Sequence, residues 1–109
     1  MNKVRISESL ERYIIELVTA TRKPKEYKLD NEARYVQFGA SPRASINLNL
    51  TAKAAAYLHG RDYVLPEDIK EVALDVMNHR IIMNYEAEAD NVRTIDIIRA
   101  ILNRVPIPA

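Results

Sequence analysis

The stretch from Pro42 to His59 constrains the fold more than any other. It lies between Gly39 and Gly60, the chain's two glycines, and is dense in alanine: Ala44, Ala52, Ala54, Ala55 and Ala56. Alanine has the highest helix propensity of any residue. Ile46, Leu48, Leu50, Tyr57 and Leu58 occupy much of the remaining circumference, so the spacing predicts a central helix buried nearly all round. Gly60 suits the left-handed residue that closes such a helix. At the other end Ser41 is placed to cap free backbone N–H groups, and Pro42 suits the first helical position. An apolar helix of this kind must be enclosed by others, and the remaining residues must supply them.

They do so at three places. Leu10, Tyr13, Ile14, Leu17 and Val18 repeat at the spacing of one buried stripe, which predicts a helix over 7–22. Ser7 is its cap, Glu8 and Glu11 favour its positive end, and Pro24 stops it. Pro66-Glu67-Asp68 opens a third helix, with Ile69, Val72, Ala73, Val76 and Met77 on one face and fraying near Asn78 and His79. Thr94 is positioned to cap a last helix carrying Ile95, Ile97, Ile98, Ile101, Leu102 and Val105. Pro106 and Pro108 end it. Between helices, Arg34–Phe38 alternates loosely and can form one short strand, whose partner would be the ambiguous segment up to Tyr85. The expected fold is therefore mainly α: a four-helix bundle with a short two-stranded element near Tyr35–Phe38 and Ile81–Tyr85. With 109 residues it is one domain, 1–109.

Composition closes off much chemistry. Two glycines leave no Gly-rich phosphate loop of the Walker or dinucleotide-binding kind. No cysteine means no disulfide, thiolate zinc site or thiol nucleophile, which fits a reducing cytoplasm. His59 and His79 each lack a second ligand at helical spacing, so no metal site is expected. The serines fall at helix starts, where capping explains them, and the carboxylates scatter along exposed faces. Glu86, Glu88 and Asp90 read as a solvated acidic loop, and Arg22–Lys28 as a solvated basic connector. A net charge of +1 gives no drive toward nucleic acid, and no apolar run approaches the ~18–20 residues of a membrane span. The start, Met1-Asn2-Lys3-Val4-Arg5, leads into a polar amphipathic segment, not a signal-peptide core.

One local rule is broken. Arg43 falls in the first turn of the alanine-rich helix, where a cation meets the positive end of the macrodipole at a cost of roughly 0.3–1 kcal/mol. Such an exception beside consistent capping chemistry points to function. Helical side chains lean toward the N-terminus, so Arg43 and the helix start together are expected to present an anion site, for a phosphate.

The block Gly39-Ala40-Ser41-Pro42-Arg43-Ala44-Ser45, the alanine-rich helix, and Gly60-Arg61-Asp62-Tyr63-Val64-Leu65-Pro66-Glu67-Asp68 resemble the C-terminal lid of MoxR-type AAA+ ATPases. Tyr13-Ile14, Ala20-Thr21-Arg22 and His79-Arg80 match as well, and the likeness runs from about Val4 to Pro108. Magnesium-chelatase ATPase subunits have a related lid. The resemblance implies a lid packed beside an N-terminal α/β core that binds ATP or ADP with magnesium. It implies that Arg43 is the sensor-2 arginine reaching the γ-phosphate, and that role carries onto Arg43 alone; Ser41 and Tyr13 are further candidate nucleotide contacts. It also implies a ring, commonly a hexamer, with chaperone-like remodelling activity and von Willebrand factor A-domain partners. The phosphate loop, magnesium carboxylate and arginine finger belong to the core, so this chain alone should neither hydrolyse ATP nor carry a bound cofactor. The competing reading is a stand-alone helical module that binds protein or DNA; a small hydrolase has no motif behind it.

Overall fold

Ser7 accepts a hydrogen bond from the Leu10 N–H at 3.2 Å and so starts α1 (Glu8–Arg22). The stripe Leu10, Tyr13, Ile14, Leu17 and Val18 is buried along its whole length, as the periodicity requires. In the computed structural model, which describes residues 4–107, Pro24 ends α1 and immediately opens a 3₁₀ turn over Pro24–Tyr27. That turn closes on Lys28, left-handed at φ 58°, and the Arg104 guanidinium donates to the Tyr27 carbonyl at 2.9 Å. The basic connector is therefore structured and docked, which its proline and charge did not indicate. A short α2 (Asp30–Ala33) follows. Met1–Lys3 of the polar start and Pro108 of the terminal pair lie outside the described residues.

β1 (Val36–Phe38) and β2 (Ile82–Met83) form the expected antiparallel ribbon, pairing Val36 with Met83 and Phe38 with Ile82 across an irregularity. Tyr85 belongs elsewhere. The Asn84 side chain accepts from the Ala87 N–H at 3.2 Å and starts α5 (Tyr85–Ala89), so the presumed acidic loop is largely a helix. Asn84 is a strong N-cap, and capping wins here over the segment's charge.

The three other long helices are α3 (Arg43–Leu58), α4 (Pro66–Asn78) and α6 (Thr94–Arg104). α3 ends as expected: Gly60 takes φ 76° and the Arg61 N–H reaches back to the Ala56 carbonyl at 3.0 Å. Pro66 is the first residue of α4, and Asp68 accepts from the Leu65 N–H at 2.8 Å. α6 differs from expectation in its start. Thr94 is already helical, and Asp96 satisfies the Arg93 N–H at 3.0 Å in its place. α3 packs chiefly on α4, α4 on α6, and α1 against both α3 and α6. Ahead of α1 the chain is tied to the turn before α4, since Arg5 donates to Asp62 and accepts from Val64, both at 2.8 Å. No helix among the described residues is long and apolar enough to cross a membrane.

α3 departs from the prediction in one respect. Ala44, Leu48, Ala52 and Ala56 are fully buried, but Ile46, Leu50, Tyr57 and Leu58 are more than half exposed. The helix has one core face, made chiefly of small residues against which α4 closes, and a second apolar face on the outside.

Candidate functional site

Gly39 lies against the end of α1 so closely that a β-carbon there would stand 2.3 Å from the Thr21 carbonyl oxygen. The next residue, Ala40, is fully buried, and its N–H donates to the Thr21 hydroxyl at 2.9 Å. Thr21 is itself buried, and its hydroxyl donates to the Val18 carbonyl at 2.6 Å. The chain then emerges for Ser41, Pro42 and Arg43 and re-enters the core at Ala44.

Arg43 is the first residue of α3 and is exposed. It forms no ion pair among the described residues, like Arg12, Arg22, Arg80 and Arg99 and unlike Arg34, Arg61 and Arg93. Its surroundings correct the expectation for Ser41. α3 has no side-chain cap; Ser41 contributes its backbone carbonyl, which accepts from Ala44 at 2.9 Å, while the Pro42 carbonyl accepts from Ser45 at 3.1 Å. The tightened first turn thus consumes two N–H groups that an anion would otherwise find free. What this end of the helix offers an anion is the Arg43 guanidinium first, with the exposed Ser41 side chain beside it.

Tyr13, the third candidate, is elsewhere. It is 0 % exposed in the core, where burial raises its phenol above the ordinary 10.0. Its hydroxyl has no hydrogen-bond partner among the described residues. Enclosed in this way, it offers a nucleotide nothing to touch.

Several of the other charged residues pair with one another. Arg34 reaches both Glu86 and Asp90 between α2 and α5, and the Tyr35 hydroxyl donates to Asp90 at 2.8 Å. That bond is the main reason the Tyr35 phenol is raised. Among the described residues His59, Asp68 and Glu71 are close enough to suggest a metal. The donor set argues against one: both Asp68 oxygens are engaged, by Arg61 and by the Leu65 N–H, and His59 pairs with Glu71 at 3.3 Å. A second cation beside the Arg61 guanidinium would be repelled.

Two features escaped the sequence reading. The Thr21–Ala40 hydrogen bond carries no motif. The outer face of α3 did have a signal, since Arg43, Ile46 and Leu50 are spaced i, i+3, i+7 and share one side of the helix. Ile15 of α1 extends that apolar surface, lining a shallow groove with Ile46 and Leu50.

The AAA lid domain family matches residues 29–101. The chain belongs to that family. Among its relatives, the chaperone MoxR1 of Mycobacterium tuberculosis is 39% identical over 103 residues, covering 94% of this chain and 27% of that protein. Protein MoxR of Paracoccus denitrificans is 36% identical over 108 residues, 94% of this chain and 32% of the relative. A crystal structure of a candidate ATPase from Cytophaga hutchinsonii superposes with a TM-score of 0.95 at 65% identity, over 99% of this chain and 33% of that one. The fold and these relatives make it the lid region of a MoxR-type AAA+ ATPase. The lid spans about a third or less of each relative's length.

Proposed function

We propose that this lid senses nucleotide for its ATPase, with Arg43 contacting the γ-phosphate of ATP held by an adjoining α/β domain. The observation that carries the reading is Arg43 itself. It is an exposed guanidinium, without an ionic partner among the described residues, at a helix start, where a cation is electrostatically disfavoured. A phosphate placed there reverses the sign of that cost and receives a charge-assisted, bidentate contact. Magnesium is a different matter. Among the described residues, the one group of side chains close enough to hold a metal, His59, Asp68 and Glu71, includes neither Arg43 nor its neighbours, so the residues fit a γ-phosphate ligand but not a metal-holding role. ATP supplies the phosphoryl group when bound; this chain supplies one positioned positive charge that stabilises charge on it.

The outer face of α3 supports the same arrangement. Ile46 and Leu50 continue from Arg43 along one side, so a domain that brings phosphate to Arg43 also covers an apolar surface that is otherwise exposed. Lid and α/β domain then move as a pair, and nucleotide state biases their angle through Arg43. We carry ring assembly, chaperone-like remodelling and von Willebrand factor A-domain partners over to this protein as part of the same reading. The name of the Mycobacterium relative supports the chaperone element.

The test is Arg43→Ala in an ATPase subunit carrying this lid. Hydrolysis should fall at least about tenfold, short of the ~10³–10⁵ an arginine supplies in trans in GTPases, or nucleotide-driven assembly should fail. Circular dichroism of the lid should be unchanged. Wild-type behaviour in both assays would remove the assignment.

A further inference from the structure

We infer that Thr21 of α1 is the positioning residue that fixes where Arg43 stands, an inference that rests on the phosphate-contacting reading of Arg43. Thr21 is 1% exposed and sits in the last turn of α1, far from any solvent-facing role. Its hydroxyl proton is committed to the Val18 carbonyl at 2.6 Å, which leaves the oxygen lone pairs to accept from the Ala40 N–H at 2.9 Å. One side chain thereby dictates one orientation for the backbone entering α3. The preceding residue is fixed by contact instead. A β-carbon on Gly39 would lie 2.3 Å from the Thr21 oxygen and 2.5 Å from its carbonyl carbon, and backbone atoms cannot swing aside.

From that double attachment to Arg43 the chain is short and stiff. Pro42 holds φ at −55°, and Ala44 is fully buried again. Only Ser41, Pro42 and Arg43 stand out between two buried alanines. The guanidinium is therefore referenced to α1 through the Thr21 hydroxyl, not to α3 alone. A phosphate-reading group needs such a reference, because a misplacement of ~1 Å can cost about 10²-fold. A valine at this position would match the shape of threonine, keep the core filled and remove only the hydroxyl, with its bond to the Val18 carbonyl and its acceptor for the Ala40 N–H.

The experiment compares Thr21→Val, Thr21→Ser, Arg43→Ala and Thr21→Val/Arg43→Ala in an ATPase subunit carrying this lid. Thr21→Val should lower kcat about tenfold, within the range open to a displaced group. Thr21→Ser, which keeps the hydroxyl, should restore it. In the Arg43→Ala background Thr21→Val should add nothing further. In the 109-residue chain, hydrogen exchange should accelerate at the Ala40 amide in Thr21→Val and not in Thr21→Ser. If Thr21→Val melts below the assay temperature, Gly39→Ala displaces the same segment by contact and carries the same expectation. Wild-type hydrolysis in Thr21→Val beside an impaired Arg43→Ala overturns the positioning role alone, as do additive losses in the double variant. Wild-type hydrolysis in Arg43→Ala overturns the reading beneath it, and the positioning role falls with it.

Discussion

Replacing Asp68 by alanine should destabilise the lid more than any other single change of a charged residue. Asp68 is 2% exposed at the start of α4, and it does two jobs at once. One carboxylate oxygen is paired with the Arg61 guanidinium, whose side chain is 23% exposed; the other accepts from the Leu65 N–H at 2.8 Å. Removing one partner of a buried pair costs about 3–5 kcal/mol. Arg61 keeps some contact with water, which puts this pair nearer ~2–3 kcal/mol. Losing the cap on Leu65 adds ~1 kcal/mol. The sum of ~3–4 kcal/mol is a large part of the roughly 5–15 kcal/mol that holds a domain together. At about 4 °C per kcal/mol for a chain of this size, the melting temperature should fall by ~12–16 °C. Calorimetry or thermal circular dichroism of the 109-residue chain reads this directly. Asp68→Asn, which retains an acceptor for Leu65 but not the charge, should lose about half as much. Arg61→Met combined with Asp68→Leu should cost less than Asp68→Ala, because no lone charge is left behind. A shift under ~4 °C for Asp68→Ala would refute the argument, since the pair would then contribute little beyond the cap.

Three further outcomes follow from the same structure. Gly60→Ala should cost ~1–2 kcal/mol in chemical denaturation. The space around a β-carbon there is open, so the loss comes from φ 76° alone, and asparagine should recover part of it. Ile46→Glu, on the exposed face of α3, should leave the lid's melting temperature within a degree or two while weakening its association with the α/β domain in a pull-down. Tyr13 makes the fold sensitive to alkali. Burial raises its folded pKa above 10.0, so the stability linked to its proton is fully present below about pH 10 and is lost as pH climbs through the higher folded value. Phenolate absorbance followed alongside circular dichroism should show Tyr13 ionising only as the helices melt.

The long helices were legible because each signal was local. Ser7 before an i, i+3, i+4 stripe, Pro66 followed by two acids, and Gly60 after the alanines are short-range chemistry, and α1, α3 and α4 begin and end within a residue of where that chemistry places them. Caps that depend on competition were harder. Thr94, the expected cap of α6, is itself the first helical residue, and the Asp96 carboxylate accepts the Arg93 N–H from inside the helix. The acidic segment became α5 because Asn84 caps it, and the connector is held by Arg104, 77 residues away from the carbonyl it reaches. Thr21 illustrates the limit most plainly. Nothing in its neighbours announces that its hydroxyl will meet the amide of Ala40 across two helices.

Overestimating the burial of α3 turns out to be informative about function. Hydrophobicity around a helix measures how much surface needs cover, not whether this chain supplies it. Ala44, Leu48, Ala52 and Ala56 are covered by the lid's own helices, whereas Ile46, Leu50 and Tyr57 are not. The uncovered residues fall on the side of the helix that begins with Arg43, by the same 3.6-residue period that buries the alanines. An apolar stripe with a lone cation at its head is poorly suited to water. It is well suited to a second domain that presents an apolar wall and an anion together. On the proposed reading Arg43 and Ile46 are two parts of one surface, met by the same partner.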